Sequence, residues 1–346
     1  MSLARKRLRI PADWEVHQAC VMSWAVPLEW GDWRRPVLDE LATIVQTISE
    51  FEKVIVLAPS QQVSEATARL AGGRVEIVEA PVEDIWMRDC APTFAISEKE
   101  VVAIDWNPLG WAGKMTSSLP EPGGSFGSRL ADLLEVDYLR APFVAEGGAF
   151  VTDGQGTLVT SRSCLLHPTR NPPCFGTSRQ LLIERELCSL GVEKVIWLEG
   201  DSSEPITHGH VDGYVLFASP GHALVESIDD EGIEAPPWRE HDIIALQQGH
   251  DAKGRALRID TIAAPRKRHW KFRGRQWAPC YLNAYLANDA VITARFGDPE
   301  RDEIAREGLQ RAFPSRTVQM LRIDHVASGG GGIRCLTQSI PTVAPR

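Results

Sequence analysis

The chain has 346 residues, 43% hydrophobic and 24% charged, which is the balance of a folded globular protein large enough for one big domain or two ordinary ones. Its net charge of −9 argues against a general nucleic-acid binder and suits a cationic partner. The seven cysteines form no CxxC pair or regular framework, so reduced thiols and a cytoplasmic setting are expected.

The basic start Ala4–Arg9 is not followed by the apolar segment a secretory signal needs, and no apolar run has the length of a membrane span. Ala19–Val26 reads as a strand. Pro36 then opens a helix whose apolar residues Val37, Leu38, Leu41, Ile44, Val45 and Ile48 recur at spacings of three and four. Lys53–Ala58 has the pattern of a buried strand, Ser60–Leu70 that of an N-capped helix, and Val75–Val78 that of a further strand.

From Asp84 onward one pattern recurs: a loop, a strand, a tight turn, a second strand, a connection with a helix, and a third strand. The first copy has strands at Thr93–Ile96, Val101–Trp106 and Tyr138–Pro142, with a helix near Phe126–Leu134. The second has Ala149–Thr152, the turn Asp153–Gly156, Thr157–Ser161, the helix Ser178–Leu190 and the strand Lys194–Leu198. The third begins with Tyr214–Ala218 and Ala223–Ser227, and its remainder, within 229–280, has no clear pattern. The fourth has Tyr281–Leu286, Ala290–Arg295, the helix Asp298–Phe313 and the strand Arg316–Ile323.

After it come four glycines, Gly329–Gly332, and the strand-like run Ile333–Ile340, with no helix left. The missing parts exist at the other end of the chain. A fifth unit closed by joining the two termini is therefore expected, giving a ring of ββαβ-type repeats in one domain spanning 1–346. A doubly wound α/β domain is the competing architecture.

Chemistry-bearing residues fall at matching places in these units. Asp89 precedes the first strand of unit one, Glu146 that of unit two, His210 and Asp212 that of unit three, and Cys335 opens the fifth. In a ring, equivalent positions converge near the axis. Two carboxylates across a gap, Asp89 and Asp212, suit a planar cation with donors on both edges, such as a guanidinium. Cys335 as thiolate can attack an electrophilic carbon, and His210 can protonate a leaving amine and then deprotonate water. Glu146 can orient the histidine and favour its cation. Taken alone, Arg88-Asp89 reads as a local salt bridge and Glu146-Gly147-Gly148 as a turn. His208, His210 and Asp212 would share one face of a strand and could hold a metal, but nothing close in sequence completes a ligand set.

The motifs W-M-R-D at Trp86–Asp89, E-G-G at Glu146–Gly148, G-H-V-D-G at Gly209–Gly213 and G-G-G-G-I-R-C-L-T-Q-S-I-P at Gly329–Pro341 resemble those of the agmatine deiminase and bacterial-type peptidylarginine deiminase family. That family belongs to the guanidine-modifying, or pentein, superfamily. Ile10–His17 and Phe296–Pro299 resemble its opening and late segments, so the likeness spans almost the whole chain. The resemblance implies a five-bladed pseudo-symmetric α/β propeller around a central active-site channel. It implies that Cys335 attacks the guanidinium carbon, His210 acts as acid and base, Glu146 supports it, and Asp89 and Asp212 grip the nitrogens. Trp86, Gly148, Gly330 and Trp106, the last from a tryptophan-rich loop at Trp106–Lys114, would line the substrate. No cofactor and no metal is implied. The partner expected is a small guanidino compound, with agmatine, giving N-carbamoylputrescine and ammonia, in the lead. L-arginine, peptidyl arginine and an amidinotransferase reaction are the near alternatives, and a non-catalytic binding protein or a cysteine peptidase the distant ones.

Two positions depart from the agmatine deiminase pattern G-G-G-N-I-H-C, namely Gly332 and Arg334. Arg334 could lower the pKa of Cys335 or attract a substrate carboxylate. Alternation along a strand predicts instead that it faces away from Cys335. The basic and aromatic stretch Pro265–Trp277 is expected to be a surface loop or site rim rather than a nucleic-acid contact, given the acidic chain. No nucleic acid or membrane partner is expected, and a homo-oligomer is left open.

Overall fold

The computed structural model describes residues 8–98, 100–108, 124–172, 178–227, 236–266, 269, 271–272 and 276–343. Its strands are β1 (His17–Ser23), β2 (Lys53–Ala58), β3 (Val75–Glu79), β4 (Thr93–Ile96), β5 (Val101–Asp105), β6 (Asp137–Arg140), β7 (Val151–Thr152), β8 (Thr157–Ser161), β9 (Lys194–Leu198), β10 (Val215–Ser219), β11 (His222–Ser227), β12 (Arg258–Ala263), β13 (Tyr285–Ala287), β14 (Ala290–Arg295), β15 (Thr317–Arg322) and β16 (Gln338–Pro341). They form five small sheets: β4-β5-β6, β7-β8-β9, β10-β11-β12, β13-β14-β15 and β16-β1-β2-β3.

Each three-stranded sheet has the same wiring. Its first two strands are antiparallel and its last two parallel, as in β4, β5 and β6. Parallel neighbours require a crossover, and helices supply it: Phe126–Leu133, Arg179–Ser189, Pro237–Gln247 and Pro299–Ala312. Side-chain caps start two of these helices. Ser125 Oγ accepts from Ser128 N at 3.1 Å. Asp298 caps Arg301 N at 3.3 Å with Pro299 in the first turn.

The fifth sheet joins the ends of the chain. β16 pairs antiparallel with β1, Cys20 opposite Ser339 and Val21 opposite Gln338, and β1 runs parallel to β2. The crossover there is the helix Arg34–Ser49, whose buried face includes Val37, Leu38, Leu41, Ile44, Val45 and Ile48. The third unit, without clear pattern in the sequence, is completed by the helix Pro237–Gln247 and by β12.

Side chains of neighbouring sheets and helices share four apolar clusters. The first holds Met22, Leu41, Trp86, Tyr285 and Leu336 together. Burial of this kind, roughly 25 cal/mol per Å² of apolar surface, fixes the units against one another. Among the described residues no helix is long and apolar enough to cross a membrane. Two sequence expectations fall partly outside the described residues: the loop Trp106–Lys114 beyond residue 108, and much of 265–277.

One expected strand is not formed as read. Ile333–Ile340 was expected to be extended, but Arg334–Leu336 is a single 3₁₀ turn and the strand starts only at Gln338. Thr337 Oγ1 donates to the carbonyls of Ile333 at 3.2 Å and Arg334 at 2.9 Å, which holds the turn closed. Local side chain to backbone bonding outcompetes β propensity here.

Candidate active site

Short turns stand before the first strand of several sheets, and they carry the residues singled out by sequence. Asp89 lies in the turn Met87–Cys90 before β4, Glu146 immediately precedes the turn Gly147–Ala149 before β7, and His210 immediately precedes the turn Val211–Gly213, which holds Asp212, before β10. Cys335 lies in the turn before β16. All five are buried, with Asp212 at 1% exposure and Cys335 and His210 at 9% and 8%. The remaining sheet contributes a residue that sequence reading missed, Asn283, just before β13. Its Nδ2 donates to Cys335 Sγ at 3.1 Å and its Oδ1 accepts from Cys335 N at 3.2 Å. The repeat register pointed to it, since Asn283 stands where the other units carry their acids.

These side chains meet. His210 presents Nε2 to Glu146 Oε2 at 3.4 Å and Nδ1 to Asp89 Oδ1 at 3.8 Å. Gly148 N donates to Asp89 Oδ1 at 2.7 Å. A Cβ at Gly148 would lie 2.4 Å from His210 Nδ1 and 2.8 Å from Asp89 Oδ1, so only glycine permits this approach. Cys335 Sγ lies 3.8 Å from Asp212 Oδ2.

A buried guanidinium backs each half of the site. Arg170 Nε donates to both Glu146 oxygens, at 3.0 and 2.8 Å, and Nη1 lies 2.8 Å from His208 Nδ1. Sequence reading singled out neither Arg170 nor Asp13. Arg334 Nη1 donates to Asp212 Oδ2 at 2.9 Å, Nε to Asp13 Oδ2 at 2.8 Å, and Nη2 to the Phe150 carbonyl at 3.2 Å. The expectation that Arg334 faces away from Cys335 is therefore corrected. Strand alternation does not apply in a 3₁₀ turn, and both neighbours reach the same Asp212 oxygen.

The titration behaviour follows from burial opposed by these pairs. Burial, then the charges of Asp212 and Glu146, lift Asp89 to about 7, against the pull of His210. Burial also raises Cys335 well above an ordinary thiol, Asp212 and Asp89 add to this, and the bonds from Gly332 N and Asn283 only partly offset it. Burial works against the His210 cation, but Asp89, Cys164 and Glu146 outweigh it and raise His210. Glu146 is lowered, because His210 and Arg170 overcome its burial. Burial would likewise raise Asp13, but Arg334 and Arg88 hold it down to about 2.

The expected lining residues divide. Trp86 is 8% exposed and flanks the glycine run, for a Cβ at Gly331 would lie 2.5 Å from Trp86 Cζ3 and 3.1 Å from Cys335 Cβ. Gly330 takes φ of 98° and sits against Ile206. Trp106 is a correction: it is 2% exposed in a hydrophobic core cluster. Its ring lies 5.0 Å from that of Phe150, and Nε1 donates to Thr93 Oγ1 at 2.8 Å. Its large apolar surface is spent on the core. The set His208, His210 and Asp212 does not assemble around one point. His208 stacks on His167, centroids 3.7 Å apart, while His210 turns to Asp89 and Glu146.

Two carboxylates, a thiol backed by an amide, and a histidine between acids are equipped to hold a planar cation and transfer protons at its carbon. Comparison with known proteins agrees with this chemistry. A family model for Porphyromonas-type peptidyl-arginine deiminase matches residues 9–341. An agmatine deiminase of Pseudomonas aeruginosa is 34% identical, over 98% of this chain and 96% of that protein. The solved structure of an agmatine deiminase of Enterococcus faecalis superposes with a TM-score of 0.87 at 30% identity, covering 98% of this chain and 97% of that one. A C. jejuni agmatine deiminase with substrate bound shares the fold, with a TM-score of 0.82 at 22% identity over 99% of this chain and 98% of that one. The chain belongs to the family of Porphyromonas-type peptidyl-arginine deiminases, which the agmatine deiminase relatives share.

Proposed function

We propose that this protein is a hydrolase that deiminates agmatine to N-carbamoylputrescine and ammonia through a covalent intermediate on Cys335. The observation that carries the reading is the meeting of Cys335, Asp89, Asp212, His210 and Glu146, supplied by separate sheets, around one buried point. The agmatine deiminase relatives support it. In this reading the chain is one catalytic domain, 1–346, arranged as a five-bladed α/β propeller of the pentein type, with the residues before each first strand lining a central channel.

The guanidinium enters between Asp89 and Asp212. Its positive charge offsets the two carboxylates that, together with burial, hold the Cys335 thiol neutral, so the thiol gives up its proton to solvent as substrate binds. Sγ attacks the guanidinium carbon, and ammonia leaves with a proton from His210. The resulting thiouronium is attacked by a water that His210 deprotonates, which releases the ureido product and restores Cys335. Glu146 and Asp89 hold the imidazole in place from its two nitrogens. Agmatine is favoured over L-arginine because the Arg334 charge is already balanced by Asp13 and Asp212, leaving that guanidinium committed rather than offered to a substrate carboxylate.

The test is ammonia release from agmatine, L-arginine and a blocked arginyl peptide, by wild type and Cys335→Ser. Release from agmatine that the variant abolishes is expected. Equal rates in both proteins would overturn the covalent role of Cys335, and release only from L-arginine or only from the peptide would overturn the agmatine assignment.

A further inference from the structure

Cys164 is a buried thiol that the reaction above does not use. It lies in the turn Arg162–Leu165 directly after β8 and is fully shielded from solvent. Its Sγ, a Glu146 oxygen and a His210 ring nitrogen all lie within 4.8 Å of one another. Two turns of the second unit and one of the third thus bring a thiol, a carboxylate and an imidazole to one point.

We propose that Glu146, Cys164 and His210 form a zinc-binding site, and that zinc seated there switches the enzyme off by taking His210 as a ligand. A mixed sulfur, nitrogen and oxygen donor set suits Zn²⁺ and disfavours Mg²⁺ and Ca²⁺, which call for oxygen. Tetrahedral zinc, with bonds of about 2.0–2.3 Å, holds its ligand atoms roughly 3.3–3.8 Å apart. The Nε2 to Oε2 edge already measures 3.4 Å, and with the three donors within 4.8 Å of one another the thiol has to close by no more than about 1–1.5 Å to reach zinc geometry.

The surroundings are those of a metal-ligating histidine. With Nε2 turned to the metal, Nδ1–H faces Asp89 Oδ1 at 3.8 Å, and that oxygen is fixed by Gly148 N. A carboxylate behind the ligating ring sets its tautomer and raises its basicity. Arg170 contacts both Glu146 oxygens, but a carboxylate has about four lone-pair sites, so Oε2 can turn to zinc while Oε1 keeps the arginine. Charges balance as well: Zn²⁺ and Arg170 stand against Glu146, Asp89 and the Cys164 thiolate. On binding, the Cys164 S–H bond is exchanged for S–Zn and the proton passes to solvent. Of the three ligands His210 is the most exposed, at 8% against 1% for Glu146 and 0% for Cys164, so the ion would enter from the His210 side, with water as the fourth ligand of a tetrahedral ion.

The inhibitory part rests on the deiminase reading, while binding does not, so the two can fail separately. Zinc affinity is measured by competition with a colorimetric chelator in wild type, Cys164→Ala and Cys335→Ser. Wild type and Cys335→Ser are expected to bind one equivalent. Cys164→Ala should bind at least about 100-fold more weakly, beyond the 10–100-fold that outer partners of a ligand carry, and the ammonia release it keeps should not respond to one equivalent of zinc. Ammonia release by wild type should stop with one equivalent of zinc and return with EDTA. If Cys164→Ala folds poorly, the cobalt complex of Cys335→Ser is the second test, and a thiolate-to-cobalt charge-transfer band is expected there. Zinc binding that survives Cys164→Ala and vanishes in Cys335→Ser, or no binding by wild type, would overturn the proposal.

Discussion

Replacing Arg334 by methionine removes a buried cation and keeps most of its volume. The Arg334 side chain is 4% exposed and makes three hydrogen bonds, to Asp13 at 2.8 Å, Asp212 at 2.9 Å and the Phe150 carbonyl at 3.2 Å. Arg88 Nη1, 3.7 Å from Asp13, still compensates that acid in the variant, whereas Asp212 loses its direct ion pair and keeps the charge of Arg88 and the contact with the Cys335 thiol. Breaking one side of such a buried pair costs about 3–5 kcal/mol, because the partner charge is stranded. The assay is equilibrium urea unfolding, with a lowered midpoint and an unchanged slope expected. In a double-mutant cycle, Asp13→Asn with Arg334→Met should cost less than the two singles together, by about 1–3 kcal/mol. Arg334→Lys should recover only part, since one ammonium cannot span the positions that the planar fork reaches. Loss of the guanidinium also removes the bond that orients the Asp212 carboxylate, so KM for agmatine should rise. An Arg334→Met protein within about 1 kcal/mol of wild type, with additive effects in the cycle, would refute the reasoning.

Three other outcomes are expected. With the Asp89–His210 pair titrating together and Asp89 lifted to about 7, protonation blocks the carboxylate below that pH. The profile of kcat/KM should therefore fall about tenfold per pH unit on the acid side of neutrality, and a limb near pH 4, about the ordinary carboxylate value, would contradict it. Gly148→Ala drives a Cβ to within 2.4 Å of His210 Nδ1; a displacement of about 1 Å costs on the order of 100-fold in kcat, and a variant as stable and as active as wild type would show that the close approach is not needed. Because Cys335 is raised well above an ordinary thiol, its alkylation by iodoacetamide, followed on its own peptide by mass spectrometry, should be slow at neutral pH and still rising at pH 9. Addition of a guanidinium compound that cannot react should accelerate it in the neutral range, and a rate already flat there without ligand would count against a substrate-driven thiolate.

Sequence alone determined the repeat and the chemistry of its matching positions. Hairpin turns, N-caps and the apolar stripe of Arg34–Ser49 are local signals. They placed β4, β8, β9 and β14 at their observed bounds and located Asp89, Glu146, His210, Asp212 and Cys335. The tertiary structure decided what is not local. The pairing of β1 with β16 joins residues more than three hundred positions apart, and the contact of Asp13 with Arg334 spans the chain in the same way. The 3₁₀ turn at Arg334–Leu336 was hidden by a β-rich composition, since it is held by Thr337 and by Asp212 and Asp13 from elsewhere. Trp106 went to the core because Phe143 and Phe150 arrive against it, which nothing in its own neighbourhood foretells. Arg170 carries no local signature, and Asn283 only its place in the repeat. Their place in the site comes from the register of turns in separate sheets, where burial makes each unpaired charge costly and so fixes which partner it must meet.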